Sequence, residues 1–491
     1  MKISPSLSVL SLLLAAVLAG CTVGPNYRRA SAPQAAQWDV AEPWRTSAPK
    51  DALGKGQWWT VFNDDELNAL EKESLASNQT LKISVARLEQ ARAVAAVQLA
   101  TQFPQFGVAP AAERQRLAAN RPANGSAVPT AAVTQNSFTL PFTVSYEVDL
   151  FGRRRRSIEA AQANYQASAA DLENVRLLTT AELAGDYFSL RQLDKQIGLL
   201  TRTVEALNKG LELVKSRYKG GVASGLDVAQ EETLLNTTRT QLTLLHQQRK
   251  QFEDAIAVLA GKAAPDFHLA VRELNAEPPS LDAGLPSDLL ERRPDVAEAE
   301  RQMATANAQI GIAKAAYYPS LNLFGSGGWQ AADIGKLVNV QSTFWAVGAN
   351  VAESIFTGGA RRAQVQFAQA NYDATVAGYR QTVLLAFQEV QDSLTGLTVL
   401  DQAYQSQQLA VNASRRTLDI ATSRYTGGLV SYLDVVSAQQ NLLTNEQQLA
   451  ILQGQKLVTS VLLVKALGGG WDASSLAAIK VKSSPKDIIA P

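Results

Sequence analysis

Apolar residues along the chain recur with two different periods, and these periods predict its elements. Between positions 190 and 218 they step by three and four, as in the seam of a coiled coil. The positions are Leu190, Leu193, Ile197, Leu200, Val204, Leu207, Leu211, Val214 and Tyr218. Proline, which breaks helix interiors, is absent from 142 to 264 and from 320 to 484. The pattern predicts long helices at 153–219 and 360–426.

The second long helix has a looser seam than the first. Its apolar positions are Leu397, Leu400, Tyr404, Val411, Leu418 and Tyr425. Gln407 and Ser414 interrupt this series, which predicts wetter or more adjustable packing. With 67 residues at about 1.5 Å each, either helix would extend about 100 Å, far beyond the diameter of a compact domain.

Glycine pairs end both long helices. Gly220-Gly221 and Gly427-Gly428 can supply the positive φ that a chain reversal needs, so they are the predicted helix-tip turns. A return helix should follow each turn. The remaining predicted helices are 224–260, 294–316 and 431–467.

A period of two predicts strands. The clearest series alternates with polar residues and consists of Phe138, Leu140, Phe142, Val144, Tyr146, Val148 and Leu150. This is the pattern of a strand with one apolar face. The second half of the chain repeats it at Trp345, Val347, Ala349, Val351 and Ile355. The predicted strands lie near 103–118, 136–151, 320–330 and 342–357, and the first of these is ragged.

The chain contains the same unit twice. Ser216–Val228 recurs as Ser423–Val435, and Ala161–Tyr165 recurs as Ala368–Tyr372, both shifted by 207 positions. Two matches in one register indicate an internal duplication. The predicted organisation is a signal peptide at 1–20, an extended arm at 21–56, repeats at 57–265 and 266–472, and a tail at 473–491.

The N-terminus predicts export and lipid attachment. Lys2 precedes an apolar run that ends in Leu18-Ala19-Gly20-Cys21, the pattern of a cleaved signal peptide. This end resembles the lipobox of bacterial lipoproteins, which implies an N-palmitoyl, S-diacylglycerol group on Cys21. A chance free cysteine is the alternative. In the arm that follows, Trp38 and Trp44 are expected to dock on the helices, with a membrane surface as the alternative.

Composition excludes two classes of function. A net charge of +1 provides no basic surplus to neutralise nucleic-acid phosphates. His246 and His268 are the only histidines, and no Gly-x-Ser-x-Gly, P-loop or His-Glu-x-x-His sequence occurs. The acidic pairs Asp64-Asp65 and Glu231-Glu232 are interpreted as helix-surface charges. No enzyme activity, metal site or cofactor is therefore expected.

Strands with one apolar face in an exported chain suggest a transmembrane β-barrel, with a soluble sandwich as the alternative. Four strands cannot close a barrel, because the smallest membrane barrels have about eight, so several copies must contribute. The predicted fold class is an α+β membrane protein whose shared barrel continues as a coiled-coil tube. A coiled-coil lipoprotein without a pore would lack the strands.

Several segments resemble outer-membrane factors of the TolC type, in the lipoprotein branch known as OprM-like or NodT. They are Cys21–Tyr27, Trp58-Trp59 with Phe62 and Leu67, Leu289–Val296, Ala315–Leu321 and the duplicated Arg-Tyr-x-Gly-Gly. The resemblance covers nearly the whole chain. It implies a homotrimer with a twelve-stranded barrel, four strands per chain, and a helical periplasmic tunnel with an equatorial collar.

The same resemblance implies a function and partners. The chain would be the outer-membrane channel of a tripartite RND-type efflux pump, lipid-anchored in the outer membrane and working with a periplasmic adaptor and an inner-membrane transporter. Drugs or other small organic molecules are the expected substrates. An outer-membrane duct for type I protein secretion or for metal efflux is the alternative.

The resemblance places a periplasmic gate at the second glycine turn. Asp434 aligns with an acid that closes the tip in TolC-like proteins, whereas Val430 occupies the position of the gate arginine. Ser431, three residues before Asp434, also predicts an ordinary helix cap. Tyr425 and Tyr432 are aromatic gate candidates, so hydrophobic closure of the tip, opened by contact with the adaptor, is the working hypothesis.

Arginines follow the strands in both repeats. Arg153–Arg156 come directly after Leu150–Gly152, and Arg361-Arg362 occupy the equivalent place. A solvated charged collar is the expectation for this strand-to-helix junction. Contact with anionic membrane lipid is the alternative.

Overall fold

The computed structural model describes residues 22–33, 38–39, 56–119, 131–274, 276–279 and 292–481. A short 3-10 turn at Trp58–Phe62 comes first. Seven longer helices follow among the described residues: α1 (Asp65–Ser77), α2 (Gln79–Ala100), α3 (Arg153–Lys219), α4 (Gly225–Leu259), α5 (Pro294–Ala315), α6 (Ala360–Thr426) and α7 (Tyr432–Ala466). A short helix, α8 (Ser474–Ala477), comes after them. The strands are β1 (Gln105–Val108), β2 (Ala111–Leu117), β3 (Val133–Val148), β4 (Ser320–Ala331) and β5 (Thr343–Ala352). The predicted signal peptide and most of the arm lie outside the described residues.

The duplication is retained in the lengths of the helices. α3 and α6 each contain 67 residues, and α4 and α7 each contain 35. Each long helix begins after a glycine of positive φ, Gly152 at 81° and Gly359 at 89°, a conformation that favours glycine where a strand turns into a helix. α3 packs against α2, α4, α5 and α7, so it connects the two halves of the chain.

The five strands form one antiparallel sheet, in which β1 and β2 occupy the same edge of β3 and β4 and β5 follow on its other side. β1 and β2 pair with β3 in a single register, so they are one strand interrupted at Ala109–Pro110. Pro141 of β3 lies at the same level, and proline has no N–H to donate to the ladder. The predicted strand 103–118 is therefore broken rather than continuous.

Two strands end earlier than predicted. β3 ends at Val148, because Asp149 instead accepts hydrogen bonds from the backbone N–H groups of Arg154 and Arg155, at 3.2 and 2.9 Å. β5 ends at Ala352, whose partner is the first residue of β4. The residue before β4 is Pro319, which cannot extend the ladder.

The largest apolar core lies beside the middle of α3. Trp58 donates its indole N–H to the Thr180 hydroxyl at 3.1 Å, and Phe62 packs on Phe188 with ring centroids 4.9 Å apart. Burying an apolar side chain of this kind stabilises the fold by about 1.5–3 kcal/mol. α7 is apolar enough in composition to cross a membrane, but half of its most apolar window is buried within the chain. Its apolarity therefore serves this core.

Candidate functional site

One face of the sheet is apolar from the level of Phe138 to that of Val148. The strand register places on it Phe106, Val108, Phe138, Leu140, Phe142, Val144, Tyr146, Val148, Leu321, Leu323, Trp329, Trp345, Val347 and Val351. Many of these side chains are exposed, Trp345 by 79%. From Phe138 to Val148 the apolar band is about 26 Å tall, for strands that rise about 3.4 Å per residue and tilt about 40°. Its height fits the hydrocarbon region of a membrane.

The opposite face is mostly polar, with Phe324 and Phe344 as apolar exceptions, and both edges of the sheet are open. The polar face carries Ser137, Thr139, Thr143, Ser145, Glu147, Asn322, Ser326, Gln330 and Asn350. Within the described residues, neither the β1/β2 edge nor the β5 edge pairs with another strand. Backbone groups left unpaired in lipid are costly, so this sheet requires strands from further copies.

Arginines at the junction of sheet and helix are ion-paired. Arg154 binds Glu147 at 3.1 Å, and Arg156, only 3% exposed, binds Glu159 at 2.7 Å. All four arginines of Arg153–Arg156 pair with Glu147, Asp149 or Glu159. The predicted solvated collar is therefore wrong for Arg156, which is buried, whereas Arg153 is exposed and Arg154 and Arg155 are half-buried. The pairs with Glu147 and Asp149 connect the end of β3 to the first turn of α3.

The arm docks on this junction. The backbone N–H of Val23 donates to the Phe151 carbonyl at 3.1 Å, and Arg156 Nη2 donates to Asn26 Oδ1 at 2.8 Å. Cys21 lies outside the described residues, directly before this docked segment. Its predicted lipid attachment remains a prediction.

Farther along, the arm contacts α6. Arg29 Nε donates to the Tyr379 hydroxyl at 3.1 Å, and Trp38 packs edge-on against Phe387 with ring centroids 6.0 Å apart. Trp38 therefore lies against a helix, in the manner predicted for both arm tryptophans. Trp44 lies outside the described residues.

A polar network beside the apolar core contains an acid predicted to lie on the surface. Asp64 caps α1 by accepting from the backbone N–H groups of Glu66 and Leu67, at 3.0 and 3.1 Å. Its second oxygen accepts from the Tyr187 hydroxyl at 2.9 Å, and Arg191 binds Glu66 at 2.7 Å. The interpretation of Asp64 as a helix-surface charge is therefore wrong.

The two glycine pairs form turns of the same geometry. Gly221 and Gly428 have positive φ, 73° and 74°, whereas Gly220 and Gly427 keep helical angles. A backbone hydrogen bond of 2.9 Å reaches back over each turn. Only the second glycine of each pair is therefore required by its backbone conformation.

Both return helices begin with the same acidic cap. The backbone N–H and the hydroxyl of Ser431 donate to Asp434 Oδ2 at 3.1 and 2.8 Å. The backbone N–H of Ser224 donates to Asp227 Oδ2 at 2.9 Å. Each acid lies in the first turn, where it complements the helix dipole. The described contacts of Asp434 are those of a helix cap.

Tyr425 and Tyr432 meet at the second tip. Their ring centroids are 4.9 Å apart, and Tyr432 is 6% exposed. The Arg217 guanidinium, from the first tip, lies 4.8 Å from the centre of the Tyr425 ring, so a cation–π contact joins the two hairpins. Val430, which lies between Tyr425 and Tyr432 in the sequence, is half-buried. Both tyrosines were predicted as gate candidates. Arg217 was not, because the same Ser-Arg-Tyr segment occurs at both tips and does not distinguish its arginine.

A fully buried acid lies behind the aromatic pair. Glu231 of α4 has no exposed surface, and neither carboxylate oxygen forms a hydrogen bond with the described residues. Gly210 of α3 makes room for it, because a Cβ there would lie 2.6 Å from Glu231 Oε1 and 3.9 Å from the Tyr432 hydroxyl oxygen. Burial raises the pKa of Glu231. The interpretation of Glu231 as a surface charge is therefore wrong.

Known proteins resemble the chain along most of its length. The family model of outer membrane efflux proteins matches residues 70–262 and 285–469. The probable efflux pump outer membrane protein TtgC of Pseudomonas putida is 33% identical over 94% of this chain and 96% of its own. The pyoverdine export outer membrane protein OpmQ of Pseudomonas aeruginosa is 32% identical over 95% and 97%.

Solved structures share the fold. The outer-membrane channel OprN is 28% identical, with a TM-score of 0.84, over 92% of this chain and 100% of its own. The MtrE outer membrane channel of Neisseria gonorrhoeae is 27% identical, with a TM-score of 0.79, over 92% and 99%. With its apolar sheet face, open sheet edges and long paired helices, the chain belongs to the family of outer membrane efflux proteins, which are passive channels and not enzymes.

Proposed function

We propose that three copies of this chain form the exit channel of a tripartite RND-type efflux pump for small organic molecules. The observation that carries this proposal is the sheet, whose apolar face is bounded by two open edges and continues into helices of 67 residues. β5 of one copy would pair with the β1/β2 edge of the next, so three sheets give twelve strands. The helices then form the periplasmic tunnel, whose tips meet the adaptor.

The docked arm supports lipid attachment at Cys21. A Cβ on Gly152 would lie 2.9 Å from the Cα of Thr22, so the residue after Cys21 is held against the first turn of α3. This junction lies at the periplasmic end of the apolar band. Acyl chains on Cys21 would therefore enter the inner leaflet beside the barrel without an intervening linker.

The tip supports closure by aromatic packing. Tyr425 contacts both Tyr432 and Arg217, whereas Asp434 accepts a hydrogen bond from Ser431. Tyr425, Tyr432 and Val430 are therefore the gate residues, and Asp434 acts through the helix that it caps. Opening requires the second hairpin to move away from the first, which breaks the cation–π contact.

The relatives support organic cargo. Two of them are named for toluene efflux in Pseudomonas putida and for pyoverdine export in Pseudomonas aeruginosa. A neighbouring inner-membrane transporter of the RND type would support this cargo, whereas an ABC exporter would favour protein secretion. The pump is tested by resistance to organic toxicants in a host lacking its own efflux channel, with the chain produced alongside its adaptor and transporter.

The channel itself is tested by conductance in planar bilayers. The purified full-length protein should run as an SDS-resistant trimer and show discrete openings. Tyr425→Ala should increase the open probability, and Tyr218→Ala, the equivalent change at the first tip, should not. A monomer without conductance would overturn the channel. A conducting trimer that responds equally to both substitutions would overturn only the aromatic gate.

A further inference from the structure

Two arginines stand at the outer end of the apolar sheet face. Arg114 and Arg116 of β2 lie opposite Asn136 and Thr134 of β3. Opposed residues of an antiparallel pair point to the same face, and residues two apart on a strand share a face. Asn136 and Thr134 continue the series that begins with Phe138. Both arginines therefore lie on the lipid-facing side of the sheet.

Their height matches that of lipid headgroups. Phe138 is the last large apolar residue of the band at this end of β3. With about 2.6 Å of height per residue, the level of Arg114 is about 5 Å beyond Phe138 and that of Arg116 about 10 Å beyond. The polar headgroup layer occupies about this range outside the hydrocarbon core. This end faces the cell exterior, because α3 leaves the opposite end toward the periplasm.

Neither arginine is satisfied by the described part of its own chain. Both are exposed, and no ion pair or side-chain hydrogen bond joins Arg114 or Arg116 to any residue that the structure describes. By contrast, each arginine of Arg153–Arg156, at the periplasmic end of β3, has a carboxylate partner. Asp333, which follows β4, is held in its own turn by accepting from the backbone N–H of Gly335 at 3.0 Å.

We infer that Arg114 and Arg116 bind the phosphate groups of lipid A, the anionic glycolipid of the outer leaflet. A guanidinium offers phosphate two parallel hydrogen bonds, and the apolar band directly below accommodates acyl chains. One trimer would present three such sites around its rim. The inference rests on the proposed barrel, and it adds a ligand that the efflux function does not require.

The test is native mass spectrometry of the delipidated full-length trimer titrated with bisphosphorylated lipid A. Arg114→Gln combined with Arg116→Gln should weaken binding roughly 10- to 30-fold, as expected for two arginines near an anionic surface. The matched control is Arg92→Gln combined with Arg416→Gln, which removes two exposed arginines from the periplasmic helices and should leave the affinity unchanged. With dephosphorylated lipid A the wild type and both variants should bind equally weakly.

Three results would overturn the inference. One is equal affinity of the wild type and the Arg114/Arg116 variant. Another is equal binding of phosphorylated and dephosphorylated lipid A, which would assign binding to the apolar band alone. The third is dissociation of the variant trimer in lipid-free detergent, which would make the arginines partners of an acid on a neighbouring copy. Failure of the wild type to form a trimer would instead overturn the proposed function.

Discussion

The two helical hairpins, α3/α4 and α6/α7, have the same lengths and turns but different interiors. The first has an apolar seam that is buried from Leu190 to Val214 except for the half-buried Val204. In the second, Asn445 bridges both interruptions of the seam. It accepts from Gln407 Nε2 at 2.9 Å and donates to Ser414 Oγ at 2.8 Å. Polar bridges thus replace apolar packing in one hairpin only.

The tips differ in the same way. At the first tip Tyr218, which is 54% exposed, lies over Gly225. At the second, Tyr432 occupies the position equivalent to Gly225 and packs under Tyr425. The two copies of the duplicated unit therefore have an exposed tyrosine at the first tip and a packed tyrosine pair at the second. Because a buried hydrogen bond contributes only about 0.5–1.5 kcal/mol net, a hairpin held by such bonds separates at less cost than one held by a full apolar seam.

Tyr432→Gly should have the largest effect on this difference between the tips, because it gives the second tip the glycine that the first tip has at the equivalent position, Gly225. Loss of a buried aromatic side chain should cost about 3–5 kcal/mol. We expect a trimer that conducts almost continuously in planar bilayers. Tyr218→Gly is the control and should leave gating close to that of the wild type. A Tyr432→Gly trimer that remains closed would show that closure does not depend on the aromatic pair.

Gly210→Ala sharpens the comparison within the first hairpin. The new Cβ would crowd the Glu231 carboxylate, and overpacking costs about 1–3 kcal/mol, partly offset by up to about 1 kcal/mol of helix propensity. We expect a lower thermal dissociation temperature of the trimer. Adding Glu231→Ala should remove the crowding, so a double-mutant cycle should show strong coupling. Additive effects would contradict the contact.

The buried Glu231 should also make stability depend on pH. Burial raises its pKa in the folded state, so its contribution is fully present below the ordinary value of 4.5 and is lost as pH rises through the folded pKa. Each unit of difference corresponds to about 1.4 kcal/mol. Thermal dissociation measured from pH 4 to 8 should show this loss in the wild type, and Glu231→Gln should flatten it. The same slope in both proteins would assign the dependence to other groups.

The acidic caps should give the smallest effects, and equal ones. Asp227→Ala and Asp434→Ala should each cost about 1 kcal/mol, because the two acids cap equivalent helices. Hydrogen exchange in the first turns of α4 and α7 measures this loss. If Asp434→Ala opened the channel far more often than Asp227→Ala did, the carboxylate would act directly in the gate.

Local patterns account for the parts of the fold that the sequence anticipates. The bounds of α3 and α6 follow from absent prolines and from glycine pairs, and α3 also has a continuous seam; all of these signals act within a few residues. The strand ends depend on partners elsewhere in the chain. β3 stops because Asp149 caps α3, and β1 stops where prolines on two strands coincide. Neither effect appears in the period-two pattern.

The residues at the tips show the same contrast between local sequence patterns and contacts with other elements. Tyr425 and Tyr432 stand out because they flank a recognisable turn. Glu231 does not, because its neighbour Glu232 is a half-buried residue paired with Lys215, and adjacent glutamates on a helix look alike in sequence. Its burial depends on Gly210, on a different helix. The available signal was a glycine in a helix interior, where this residue is otherwise disfavoured.

Because the two hairpins of each chain have equal lengths, the tips of the trimer have an approximate sixfold symmetry. Three chains present six hairpins that end at one level, so the rim offers six places of nearly the same shape. Tyr432 occurs in only three of them, in alternation. An adaptor that recognises shape would therefore find a sixfold ring, whereas the proposed gate residues would be arranged with threefold symmetry.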